Sequence, residues 1–172
     1  MIKKIKNNKG FTLVEMLVCV LTLLLVGAIC ATGTRISVKS YQESRFESDS
    51  QMLQSTIDMV LGDLFRYATT IKEVDGQIVF SSSNYEMNNG TIQIENIGDH
   101  GESRFSIKKT TGASPILLIG ESVYAENLYV SDFVLTYDSS TRVFSGSYNI
   151  KSTIINDAER TCQFTYRSIA EW

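Results

Sequence analysis

One apolar run constrains this chain more than any other feature. Leu13 to Ala31 is broken only by Glu15 and Thr22, and Lys3, Lys4, Lys6 and Lys9 stand in front of it. A helix needs about 20 apolar residues to cross a bilayer, so the run reads as a membrane-length helix. A carboxylate inside such a helix is costly, on the order of 2.5–3.5 kcal/mol at the centre and less near the ends. Glu15 therefore needs compensation. One source is local: Thr12-x-x-Glu15 matches a capping box, in which hydroxyl and carboxylate satisfy N–H groups at a helix start. A carboxylate there also meets the positive end of the helix dipole.

Several targeting classes fit poorly. An ordinary secretory signal has an apolar stretch of about 7–15 residues and a small-residue cleavage site, whereas this stretch is longer and carries a charge. A lipoprotein-type cut before Cys30 is disfavoured by bulky Ile29 where a small residue is needed. A plain uncleaved signal anchor stays open. In every membrane reading the lysine-rich start remains cytoplasmic and the remainder is exported.

Gly10-Phe11-Thr12-Leu13-Val14-Glu15, behind its four lysines, resembles the N-terminal signal of type IV pilins and type II secretion pseudopilins. The resemblance covers about the first 30 residues. It implies that a prepilin peptidase cuts between Gly10 and Phe11 and methylates the new amine, so that Phe11 becomes N-methylphenylalanine and Glu15 the fifth mature residue. Phe11 and Glu15, four residues apart, share a helix face. The freed amine is then the natural counter-charge of Glu15, within one subunit or between an incoming subunit and its neighbour. The implied partners are the peptidase, other pilin or pseudopilin subunits, an assembly ATPase with its platform protein, and the membrane.

Composition fits one modest exported domain behind this segment. Without its first ten residues the chain keeps twelve basic against nineteen acidic residues, a formal charge of −7. That balance argues against sequence-independent nucleic-acid binding, which needs clustered Lys and Arg. Lys108-Lys109 is the one adjacent basic pair in the exported part and reads as a solvated turn or strand end. Cys19 and Cys30 lie in the membrane stretch, which leaves Cys162 alone in the exported part. No disulfide can then close within that domain, a departure from the many pilins that bridge a C-terminal loop. Cys162, between Thr161 and Gln163, reads as a buried strand residue.

Past the membrane, Met52/Leu53, Ile57, Val60/Leu61, Leu64/Phe65 and Ala68 recur at three- and four-residue steps, with Ile71 closing the series. This predicts an amphipathic helix with one buried stripe. No proline interrupts residues 11–70, so a single helix over that span would be about 90 Å long. Gly27 and Gly33 are the points where it would soften. After Asp75-Gly76 the pattern turns to strands: Gln77–Phe80, Tyr85–Met87, Thr91–Glu95, Arg104–Lys108, Ile116–Ala125, Val130–Tyr137, Val143–Ile150 and Cys162–Ser168. Asn88-Asn89-Gly90 reads as a hairpin turn, because Asn and Gly tolerate positive φ. Asp138-Ser139-Ser140-Thr141 reads as another. The fold class is α+β, one long N-terminal helix covering a C-terminal antiparallel sheet. The domain reading is a leader over 1–10, a transmembrane segment over 11–31, the amphipathic half of the helix over 32–71 and a β-rich head over 72–172. This order is similar to the lollipop of type IV pilins, and residues 125–138 loosely resemble the head of J-type minor pseudopilins.

Catalytic signals are sparse. His100 is the only histidine and sits in a loop-like Gly98-Asp99-His100-Gly101. No Cys/His cluster has metal-ligand spacing, and no nucleophile elbow or phosphate-binding glycine loop occurs. Asp99, Glu102, Glu121 and Glu126 leave a calcium site open, without the spacing of an EF-hand. The expectation is a prepilin-like structural subunit, minor by its length and head, with no catalytic residues and no cofactor. A tip-located module for adhesion or DNA capture and a plain signal-anchored domain are the alternatives.

Overall fold

The computed structural model describes residues 12–96, 103–110, 113–125 and 127–169. One helix, α1 (Leu13–Arg66), leads into strands β1 (Ala68–Val74), β2 (Gln77–Ser82), β3 (Met87–Asn96), β4 (Ser103–Lys108) and β5 (Ile116–Leu117). A short 3₁₀ turn (Glu121–Val123) precedes β6 (Leu128–Asp138), β7 (Val143–Ser152) and β8 (Glu159–Arg167). The class is α+β, as the periodicity predicts. The chain divides into two compact units, Met1–Gln42 and Glu43–Trp172.

In the first unit every described residue of 12–42 is exposed, and α1 passes through Gly27 and Gly33 without a break. The stretch is long and apolar enough to cross a membrane. Three of its hydroxyls are satisfied within the helix: Thr22 donates to the Cys19 carbonyl at 2.8 Å, Thr32 to Ile29 at 2.9 Å and Thr34 to Cys30 at 2.9 Å. Such back-bonding removes donors that hydrocarbon could not satisfy.

In the second unit α1 buries the predicted stripe, Leu53, Ile57, Leu61, Leu64 and Phe65. Met52, expected on the same stripe, is exposed instead, and Val60 is only partly buried. The helix ends at Arg66, short of the expected residue 70, and residues 68–74 are strand. The physical reason lies in the tertiary contacts of its end. The Ile169 N–H donates to the Arg66 carbonyl at 2.9 Å, and the Ser168 hydroxyl to the Ala68 carbonyl at 2.9 Å. The bond to Arg66 satisfies an orphan carbonyl of the helix end, and Thr69-Thr70-Ile71, a β-branched run, continues as strand, Thr69 pairing with Ser81 ahead of a bulge and Lys72 with Val79 after it.

The strands form two antiparallel sheets where the sequence suggested one, with orders β1-β2-β3-β4-β5 and β6-β7-β8. Leu53, Ile57, Leu61 and Phe65 of α1 share a core with Phe80 and Phe105 of the first sheet and Val130, Phe144, Tyr148, Ile150, Cys162 and Phe164 of the second. Phe65 is the junction: its ring stacks on Phe144 at 4.5 Å and stands 5.6 Å from Phe80 and 5.8 Å from Phe164. Burying each such side chain stabilises the fold by roughly 1.5–3 kcal/mol.

Three other local expectations change. The predicted Tyr85–Met87 strand is mostly turn, since residues 83–86 reverse the chain and β3 starts at Met87. Asn88-Asn89-Gly90 lies inside β3. Asn89 has φ 48° at a register shift, Phe80 facing Gly90 and Ser82 facing Met87. Its positive φ thus serves a bulge rather than a hairpin turn. A Cβ at Gly90 would lie 2.2 Å from the Lys108 carbonyl oxygen, so the glycine also permits the approach of β4. Of the predicted strand over 116–125, two residues pair. Beyond them Tyr124 anchors the chain by its side chain: its hydroxyl accepts the Phe105 N–H at 3.2 Å, and the Arg104 guanidinium lies 4.3 Å from its ring centre.

Candidate functional site

Two polar arrangements stand out, one at the start of α1 and one where its second half meets the β6-β7-β8 sheet. At the helix start the Thr12 N–H donates to Glu15 Oε2 at 2.9 Å and the Thr12 hydroxyl to the same oxygen at 3.0 Å. The Glu15 N–H donates back to Thr12 Oγ1 at 3.3 Å. This is the reciprocal capping box read from the sequence. It holds Glu15 in the first turn of α1, on an exposed apolar stretch. Gly10 and Phe11, the expected cleavage and methylation positions, lie outside the described residues, and so does the amine expected to pair with Glu15.

The other candidates are dispersed. Lys108 pairs with Glu95 at 3.5 Å and Lys109 with Glu86 at 3.7 Å, so the basic pair is spent on strand and turn neighbours. His100, Asp99, Glu102 and Glu126 lie outside the described residues. Among the described residues no three His, Cys, Asp or Glu gather to hold a metal ion. Cys162 is buried on β8 with a free thiol, and Cys19 and Cys30 are exposed on α1.

The second arrangement was not singled out by the sequence. The Tyr148 hydroxyl donates to Asp58 Oδ1 at 3.3 Å, and the Tyr166 hydroxyl to the Asp58 main-chain oxygen at 2.9 Å. Arg160 reaches from β8 to Gln54 Oε1 at 2.8 Å and to Glu47 Oε1 at 2.6 Å. Gly62 lets the Tyr166 ring lie close, since a Cβ there would stand 3.1 Å from it. Burial pushes the Asp58 carboxyl above the ordinary aspartate range, against the hydrogen bonds from Tyr148, Gln54 and Tyr166. Burial also raises the Cys162 thiol and the Tyr148 hydroxyl, and pushes Tyr166 up to about 12. The available signal was alternation: Tyr148, Cys162 and Tyr166 occupy inward strand positions, and Asp58 directly follows buried Ile57.

Residues 5–33 match the prokaryotic N-terminal methylation motif. The match takes in Lys6 and Lys9, the Gly10-Phe11 junction, Glu15 and the apolar part of α1, and it is consistent with a type IV prepilin or pseudopilin signal. No curated protein and no solved structure matches the chain.

Proposed function

We propose that this chain is a prepilin-like structural subunit, minor by its length and head size, of a type IV pilus or of a secretion or competence pseudopilus. It is inserted with its lysine-rich start in the cytoplasm, cut by a prepilin peptidase between Gly10 and Phe11, and methylated on Phe11. Residues 11–31 hold it in the membrane until assembly draws it out. Glu15 then compensates the Phe11 amine of a neighbouring subunit and sets the axial register of the filament. The capping box does not oppose this role, because a carboxylate has about four lone-pair sites and the box engages one oxygen. The motive chemistry belongs to an assembly ATPase and platform protein, and this chain supplies a helical stave and a head.

The observation that carries the reading is the match over residues 5–33, which coincides with a helix of membrane-crossing length. The mass of the N-terminal peptide from the protein isolated from its own cells tests it. A peptide beginning at methylated Phe11 is expected. An intact N-terminus in cells with an active prepilin peptidase would replace the reading with a plain signal anchor.

A further inference from the structure

Asp58 is a carboxylate set among neutral hydrogen-bond donors rather than beside a free cation. Tyr148 faces it from β7, Cys162 and Tyr166 from β8, and Gln54 from its own helix. The charged groups nearby have other engagements: Arg160 is held by Glu47 and Gln54, Asp63 bonds Tyr85, and Arg66 lies toward Tyr166. An ionised Asp58 thus keeps its charge at the helix–sheet junction by hydrogen bonds alone. Protonated, it still accepts the Tyr148 proton through one oxygen and no longer bears the cost of a partly desolvated charge.

We propose that Asp58 and its tyrosine partners form an acid-strengthened clasp, in which protonation of Asp58 tightens the hold of α1 residues 53–65 on the β6-β7-β8 sheet. The sign follows from linkage. The folded protein holds this carboxyl above its ordinary value. The stability it contributes is therefore complete below the ordinary aspartate value of about 4 and is lost as pH rises through the raised one. Other carboxylates act in the opposite sense. Glu47 is held down by Gln51 and Arg160, and Asp132 by Lys151. Asp138 is held down to about 2 by Ser140 and Thr141. These three act in the opposite sense and lose their contribution only in stronger acid, so the difference between the wild-type chain and one with no titrating group at position 58 isolates Asp58.

The test is amide hydrogen exchange of the full chain in detergent micelles at about pH 7, about pH 5 and a series of values between them, corrected for intrinsic exchange rates. Opening of residues 53–65 is expected to slow by roughly threefold or more at the lower pH. In Asp58→Asn, which keeps the shape and removes the titration, that dependence should vanish. Tyr148→Phe removes a donor to the anion, so its dependence should persist with the midpoint moved to higher pH. The clasp is overturned by an Asp58→Asn chain that keeps the wild-type pH response, or by wild-type opening that is equal at both pH values. Should Asp58→Asn fail to fold, the midpoint in Tyr148→Phe decides: an upward shift supports the clasp and an unchanged midpoint removes it.

Discussion

Single residues with positive φ set the register of both sheets. Thr70 in β1, Asn89 in β3 and Asp132 in β6 have φ of 51°, 48° and 55°, and each stands at a register shift. The consequence is clearest in β6. Before the bulge Leu128 and Val130 point inward; after it Phe133, Leu135 and Tyr137 do. One extra residue has exchanged the two faces. Asp132 itself points out and is held by Lys151 at 2.9 Å and Asn149 at 3.2 Å. Because β-branched side chains resist positive φ, Asp132→Val should unfold at lower urea than Asp132→Gly, read by the midpoints of the two transitions. Gly146 makes a different demand on the same hairpin. A Cβ there would meet the Val134 carbonyl oxygen at 2.1 Å and Phe164 Cζ at 2.7 Å. Backbone cannot yield as a side chain can, so Gly146→Ala should cost about 1–3 kcal/mol by urea unfolding.

At the scale of elements, the second half of α1 matters through one aromatic junction. Phe65 touches rings from both sheets, Phe80 on one and Phe144, Phe164 and Tyr166 on the other. Phe65→Ala should cost roughly 3–5 kcal/mol, more than truncating a residue packed on one sheet alone. Urea unfolding measures it, and a loss below about 1 kcal/mol would show that the two sheets hold together without this ring. The helix stripe was legible because Leu53, Ile57, Leu61 and Leu64 repeat at a period that little else produces. The β6–β7 hairpin was legible because Asp138 turns the chain with its own side chain, accepting from Ser140 and Thr141. The division into two sheets was not legible. It depends on which strands pair, β5 with β4 and β6 with β7, and no local pattern encodes that choice. The same limit hid the Asp58 cluster, whose members come from three elements. Asn89 misled for a related reason: positive φ suits a bulge and a turn equally, and the cross-strand register decides between them.

At the scale of the whole molecule, the exposed apolar part of α1 and the buried head make opposite demands on solvent. The described part of residues 12–42 has no cover of its own, whereas the second unit closes a core. As a monomer, only lipid or detergent can cover the first. In the proposed filament, neighbouring helices take over that role. The cysteines report the difference, since Cys19 and Cys30 are exposed on α1 and Cys162 is buried in the head. Cys19 and Cys30 also fall on one helical stripe with Glu15, Thr22 and Gly33, spaced by three- and four-residue steps or their sums. Small residues on such a stripe allow helices to approach closely. A membrane-permeant maleimide at alkaline pH should label Cys19 and Cys30 in the detergent-solubilised precursor, slowly because detergent disfavours the thiolate, and leave Cys162 unmodified. After assembly the labelling of Cys19 and Cys30 should fall by roughly tenfold as neighbouring helices bury the stripe, a loss of access equivalent to about 1.4 kcal/mol. Equal labelling before and after assembly would mean that this face of α1 never meets another subunit, and the stave would have to pack through its leucine-rich side.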